Sequence, residues 1–261
     1  MPSKTDACNF GLTDDVRYLA REGSESLAYR CVGADGPTVV WLGGFRSDIT
    51  GTKAQALSDW ARGRGRAFVR FDYFGHGASS GDFRDGTISR WRADALAVVD
   101  ELTRGPLILV GSSMGGWLAC LVAAARPERL GGMVLIAPAA DFTEALMKPA
   151  LPPQALKALE TEGVWTAPDD FGEGGYPITR ALLEDGARWS VLPGPLPIHC
   201  PVRVLQGGLD ASVPWPHALE LAQAVEGQDV VFSLIRDGDH RLSRPQDIRR
   251  LIAAAEELGE G

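Results

Sequence analysis

The chain has 261 residues, 45 % of them hydrophobic, and a formal net charge of −8. Its length suits one large α/β domain with an ordinary core, and its acidic balance argues against nucleic acid or an anionic membrane surface as a general partner. No apolar run approaches the ~20 residues that a membrane helix needs, so no integral membrane association is expected.

The opening residues, MPSKTDACNFGLTDD, carry neither the apolar core of a signal peptide nor an Arg/Ser-rich transit pattern, and a cytoplasmic protein is expected. Beyond them, short β-rich runs alternate with longer helical patterns. Strands are predicted at Leu27–Val32, Thr38–Leu42 and Ala67–Phe71, with a helix at Thr52–Arg62. A helix over Thr87–Thr103 follows. Trp91, Ala95, Val98 and Leu102 recur in it at helical spacing, and Thr87 can cap its start. Next come a strand at Leu107–Val110, a helix at Met114–Ala125 and a strand at Met133–Ile136. The carboxyl third adds strands at Val202–Gln206 and Val230–Ile235 and helices at Trp215–Val225 and Pro245–Leu258. Such alternation implies a mostly parallel sheet covered by helices on both faces. Cys8, Cys31, Cys120 and Cys200 stand too far apart for a metal-binding spacing or a dense disulfide framework, which favours a reducing compartment.

The segment 141–200 breaks the rhythm. It is proline-rich yet holds Leu146, Met147, Leu151, Leu156, Trp165, Phe171, Tyr176 and Trp189. That is too apolar for a flexible linker and too irregular for a sheet layer. A helical cap inserted between two strands is expected, with Leu146, Met147, Trp165 and Trp189 contributing to a substrate pocket. The alternative is a packed surface excursion with no role in binding.

The most informative stretch is Gly111-Ser112-Ser113-Met114-Gly115. It matches G-x-S-x-G between a predicted strand and a predicted helix, the context of a nucleophile elbow. The glycines flank Ser113 at −2 and +2, where side chains would collide with neighbouring strand and helix. For Ser112 the corresponding positions are Val110 and Met114, and neither is small. A serine hydroxyl needs a base within hydrogen-bond reach, and the base needs an orienting acid. In this architecture the chain order is Ser, acid, His. His76 precedes the serine in a Gly-rich turn, where a structural role fits it better. His199 lies before a strand and His217 inside a helix pattern. His240 follows the last strand on a polar loop and is the candidate base. Asp210, after the preceding strand, is the candidate acid, with Asp141 as the alternative; Asp237 and Asp239 read as turn residues. Backbone N–H groups of Met114 and of Phe45, the latter after Gly43-Gly44, are the candidate oxyanion donors.

The stretches LGGF, RFDYFGHGASSGD, GSSMGGW, GLDASVPW and GDHRLS follow one another in the order seen in the α/β-hydrolase family, and the resemblance runs from about Leu27 to Leu258. More narrowly, FVRFDY, VGSSMGGWL, ARPE, CPVRVLQG and DHR resemble a branch of palmitoyl-protein thioesterases and acyl-glucuronide esterases with its bacterial relatives. The resemblance implies an eight-stranded, mostly parallel sheet flanked by helices, with an inserted helical cap. It implies Ser113, Asp210 and His240 as a catalytic triad, hydrolysis of carboxylic esters or thioesters, and no metal or organic cofactor. A small-molecule ester or thioester, or an S-acylated protein, would be the substrate. Many members carry a histidine where this chain has Gly43. Carbon–carbon hydrolysis, peptidase or cofactor-free peroxidase work, or silent ligand binding, are the alternatives that the same fold accommodates.

Overall fold

The computed structural model describes residues 14–33, 35–168, 175–192 and 194–259. The first half contains β1 (Arg17–Ala20), β2 (Ser26–Val32), β3 (Asp35–Leu42), α1 (Thr52–Arg64), β4 (Arg66–Phe71), α2 (Ile88–Ala97), β5 (Leu107–Ser112), α3 (Met114–Ala125) and β6 (Leu130–Ile136). The segment after β6 contains α4 (Lys148–Ala150), α5 (Pro153–Thr161), the hairpin β7 (Val164–Ala167) and β8 (Tyr176–Thr179), and α6 (Arg180–Gly186). The chain closes with β9 (Val202–Gly207), α7 (Trp215–Ala224), β10 (Val230–Ile235) and α8 (Pro245–Gly259).

Eight strands form one sheet in the order β1-β2-β4-β3-β5-β6-β9-β10. The β1/β2 and β2/β4 pairs are antiparallel and the remainder parallel. This is the α/β-hydrolase architecture expected from the sequence. Strand β1 was not expected. It is an edge strand of intermediate and exposed residues, so burial writes little pattern into it. The helix expected over Thr87–Thr103 is α-helical only to Ala97 and continues as a π turn over Val98–Leu102. Its predicted cap is present, with Thr87 Oγ1 accepting the Arg90 N–H at 3.2 Å.

The period-2 alternation of a strand sends successive side chains to opposite faces. Leu107 and Leu109 of β5 belong to the core shared with Trp91 of α2 and Trp117 of α3. Ile108 and Val110 belong to the other, with Leu57 of α1 and Leu251 of α8. Both faces are covered by helices and buried, so the parallel strands read as near-continuous apolar runs. Among the described residues no helix is long and apolar enough to cross a membrane. Cys31, Cys120 and Cys200 carry free thiols; Cys8, and Phe171 of the expected cap, lie outside the described residues.

The segment after β6 has a small core of its own around Leu159, Ala167, Ile178 and Leu183. Buried carboxylates fasten it to the body. Asp185 accepts both the N–H and the Oγ–H of Ser89, each at 2.7 Å. Asp141 accepts the Ser190 hydroxyl and the N–H groups of Val191 and Leu192.

Candidate active site

Strand β5 ends at Ser112 and α3 starts at Met114, which leaves Ser113 alone at the turn with φ 55° and ψ −120°. A non-glycine residue with positive φ costs on the order of 1–3 kcal/mol and persists only where its surroundings over-determine it. Here they do. The Ser113 N–H donates to the Ile136 carbonyl at 2.9 Å, and its own carbonyl accepts from Gly116 and Ala139 at 2.9 and 3.0 Å. The flanking glycines are required by close approach. A Cβ on Gly111 would stand 2.3 Å from the Gly115 carbonyl oxygen, and one on Gly115 would stand 2.0 Å from that of Leu42.

His240 sits on the loop between β10 and α8. Its Nε2 lies 3.1 Å from Ser113 Oγ, and its Nδ1 lies 2.8 Å from Asp210 Oδ2. Asp210 follows β9, and its carboxyl group is wholly shielded from solvent. Burial of a carboxylate requires compensating donors. Ser212 and Val213 supply N–H groups to Oδ1 at 2.9 and 2.8 Å, and Gln206 Nε2 donates to Oδ2 at 3.2 Å. The histidine loop is also fixed. Lys53 Nζ donates to the Arg241 carbonyl, and the Leu242 N–H donates to Asp239 Oδ1 at 2.9 Å. Burial pushes the Lys53 ammonium down to about 8. Asp237 pairs with Arg244 at 2.8 Å.

A cavity of about 510 Å³ opens over Ser113 and His240. Phe45 and Met114 line it on the sheet side, and Leu146, Met147 and Trp165 line it from the segment after β6. Gly44 is close to the serine: a Cβ there would stand 3.4 Å from Ser113 Cβ. Trp189, expected with the pocket residues, is not among those lining this cavity. Its indole N–H donates to Ser89 Oγ at 2.7 Å, and its carbonyl accepts from Trp117 Nε1 at 3.1 Å. A half-buried indole needs a partner for its N–H, and this one finds it by stapling the segment to α2. Phe142, Tyr176, Ser212 and Val213 also line the cavity. Phe142 and Ser212 lie just beyond the carboxyl ends of β6 and β9. The convergence of loops at the carboxyl edge of a parallel sheet is the signal that could have found them.

Two alternatives raised by the sequence are placed elsewhere. The Asp141 carboxylate is occupied by the 190–192 backbone and Ser190, as described above. His76 is 3 % exposed, and burial lowers its pKa.

A serine on a strand-to-helix turn, a histidine after the last strand and a mostly parallel eight-stranded sheet define a class, and the comparisons agree with it. Residues 38–168 match the family model described as serine aminopeptidase, S33. The chain belongs to the α/β-hydrolase family and is a hydrolase. Within that family it is 37 % identical over 93 % of its length to the mitochondrial palmitoyl-protein thioesterase ABHD10 of Mus musculus, covering 82 % of that protein. The solved structure of mouse α/β hydrolase domain-containing protein 10 superimposes with a TM-score of 0.86 at 36 % identity, over 94 % of this chain and 98 % of that one. A crystal structure of an Agrobacterium vitis S4 protein matches with a TM-score of 0.90 at 44 % identity, again over 94 % and 98 % of the two chains. The cytoplasmic address expected from the opening residues is corrected by the ABHD10 relatives, which match over 93 % of the chain and are named as mitochondrial proteins.

Proposed function

We propose that this hydrolase cleaves acyl thioesters and carboxylic esters through a covalent acyl-enzyme on Ser113. The observation that carries the reading is the continuous hydrogen-bonded path from Ser113 Oγ through His240 to the buried Asp210, with contacts of 3.1 and 2.8 Å. In the first step His240 Nε2 takes the Ser113 proton as Oγ attacks the acyl carbonyl carbon. The carbonyl electron pair moves to oxygen, where the N–H groups of Met114 and Phe45 receive the charge. The intermediate collapses, the C–S or C–O bond breaks, and the imidazolium returns its proton to the leaving thiol or alcohol. Water then repeats the sequence with His240 as base and releases the carboxylic acid. Asp210 keeps the His240 proton on Nδ1 and stabilises the charged ring.

The segment after β6 acts as a cap over the acyl group in this reading. Leu146, Met147 and Trp165 on the cavity wall support an apolar acyl chain. An S-acylated protein lies within this substrate class, and the ABHD10 relatives are named palmitoyl-protein thioesterases. The test is a hydrolysis panel that varies acyl length and leaving atom (sulfur, oxygen, nitrogen), run beside fluorophosphonate labelling. Turnover of thioesters and esters with label on Ser113 is the expected result. Labelling elsewhere, or turnover of amides alone, would overturn the reading.

A further inference from the structure

Two peptide planes flank Phe45, and each is held by a side chain that the chemistry above leaves unused. Residues Gly44 to Ser47 form a tight turn. The Ser47 N–H donates to the Gly44 carbonyl at 3.1 Å, and the Ser47 hydroxyl donates to the same oxygen at 2.7 Å. Arg46, third in the turn, has φ 61°, whereas Phe45 is not among the residues with positive φ. That combination is a type II turn, whose third place ordinarily falls to Gly or Asn. An arginine there carries a backbone penalty of roughly 1 kcal/mol, so something must hold it. His76 does. Its Nε2 accepts the Arg46 N–H at 3.2 Å, while its Nδ1 donates to the Phe74 carbonyl at 3.1 Å.

These two contacts fix the tautomer. A backbone N–H only donates and a carbonyl only accepts, so the His76 proton sits on Nδ1 and the Nε2 lone pair faces Arg46. The imidazole meets Phe83 and Trp91 edge-on, with ring centroids 5.0 and 5.2 Å away. The same two rings pack on Phe45 at 5.0 and 5.9 Å. His76 therefore grips the turn directly through Arg46 and indirectly through the aromatic side chains.

The consequence for Phe45 follows from peptide geometry. In a trans peptide the C=O and N–H point in opposite directions. Ser47 ties down the Gly44 oxygen, so the Phe45 N–H of that same peptide is aimed away from Ser47. A type I turn would rotate the next peptide, Phe45–Arg46, by roughly 150°. The acceptor on His76 stabilises the type II orientation alone. Gly43 leaves room for this arrangement, since a Cβ there would stand 2.9 Å from Ser47 Oγ.

We propose that Ser47 and His76 are positioning residues for the oxyanion site: Ser47 locks the Gly44–Phe45 peptide that carries the Phe45 N–H, and His76, as a neutral acceptor, holds the strained Arg46 conformation and so the turn that keeps Ser47 on the Gly44 oxygen, which aligns that N–H before substrate arrives. The proposal rests on the reading of Phe45 as an oxyanion donor. Donors fixed in advance need no reorganisation as charge develops, which is where such sites gain their effect.

His76→Leu removes the acceptor and keeps apolar bulk, and His76→Gln returns an acceptor near the position of Nε2. The measurements are kcat and KM on a thioester substrate, affinity for a boronic acid that forms a tetrahedral adduct with Ser113, and Tm. In His76→Leu, kcat and boronate affinity should fall together by about tenfold or more, with KM within about threefold, because an interaction specific to the tetrahedral state is lost. His76→Gln should recover both to within about threefold of wild type. A folded His76→Leu protein with wild-type kcat and boronate affinity overturns the proposal, as does a glutamine variant as impaired as the leucine variant. If His76→Leu does not fold, Ser47→Ala carries the test: a parallel fall of about threefold or more in kcat and boronate affinity supports it, and unchanged values overturn it. Absence of turnover in wild-type protein in the same assay would instead overturn the functional reading itself.

Discussion

Asp210 Oδ2 lies 2.8 Å from His240 Nδ1, and no part of the Asp210 side chain reaches water. Three further donors, from Gln206, Ser212 and Val213, hold that carboxylate in one orientation. It is an acceptor built in place rather than a surface charge that happens to lie nearby. Asp141 is equally buried, but its donors are Ser190, Val191 and Leu192, so it anchors a chain segment and faces no histidine in these contacts.

Asp210→Asn should therefore lower kcat by about 10⁴, because an amide N–H facing Nδ1 forces the wrong imidazole tautomer. Asp141→Asn should leave kcat nearly unchanged and lower Tm, since it weakens the attachment of residues 190–192. Rate constants and melting curves on both variants decide the matter. A large kcat loss at Asp141 with little at Asp210 would reassign the acid.

Ser113→Ala should abolish fluorophosphonate labelling and turnover with the fold intact. Ser112→Ala should keep most activity, because Ser112 ends β5 at 6 % exposure. Intact-mass measurement of the labelled protein checks both. Activity surviving in Ser113→Ala would remove the elbow serine from the mechanism.

Ser113, Asp210 and His240, which the structure joins by hydrogen bonds, stand out in the sequence because each is announced locally: glycines two residues to either side, or the first polar loop after an apolar strand. The strands and helices of the sheet body were legible for the same reason, since burial on both faces leaves apolar runs and helical periodicity. The hairpin β7–β8 was not legible. Its strands VWTA and YPIT are too short to show alternation, and they find their partners only across the pocket segment. Trp189 misled for a related reason. An aromatic residue in an apolar segment looks like pocket lining until the partner of its N–H, Ser89 on α2, is known.

Substitutions in the segment after β6 should separate accordingly. Trp165→Ala and Met147→Ala should shift acyl-chain-length preference, because both side chains line the cavity, and should also lower Tm, because both pack on the small core of the segment. Trp189→Phe should lower Tm by deleting the bond to Ser89, and leave the preference alone. Chain-length profiles beside melting curves test this. An acyl analogue that binds without touching residues 141–200 would end the assignment of this segment to substrate.

Buried Asp94 provides a pH prediction. Its carboxylate accepts the Phe74 N–H at 2.9 Å, and burial raises its pKa from 3.8 to about 6. The folded state therefore holds this proton over a range where the unfolded chain has lost it. Stability from this group is present below pH 4 and declines as pH rises through about 6. Asp94→Asn keeps an acceptor and removes the ionisation. Its Tm relative to wild type should become more favourable between pH 4 and pH 7. A difference that stays constant or shrinks across that range would contradict the assignment.

Phe45→Pro separates the backbone donor from the side chain, and the turn makes it a clean substitution. Phe45 occupies the second place of the type II turn, where proline is favoured, and it follows a glycine that tolerates the restriction proline imposes. The change deletes the N–H while leaving the Ser47 and His76 contacts their partners at Gly44 and Arg46. It also removes a ring that packs on Phe83, Trp91, Phe142 and Tyr176, with centroids 5.0 to 5.9 Å away. Phe45→Ala is the control for that packing: Tm should drop and much of the chemical rate should survive. Against this control, Phe45→Pro should lose a further 10²–10³ in kcat, roughly the cost of one oxyanion donor. Circular dichroism and Ser113 labelling in the same preparation establish folding. A folded proline variant that turns over thioesters at the alanine rate would move the second donor away from Phe45.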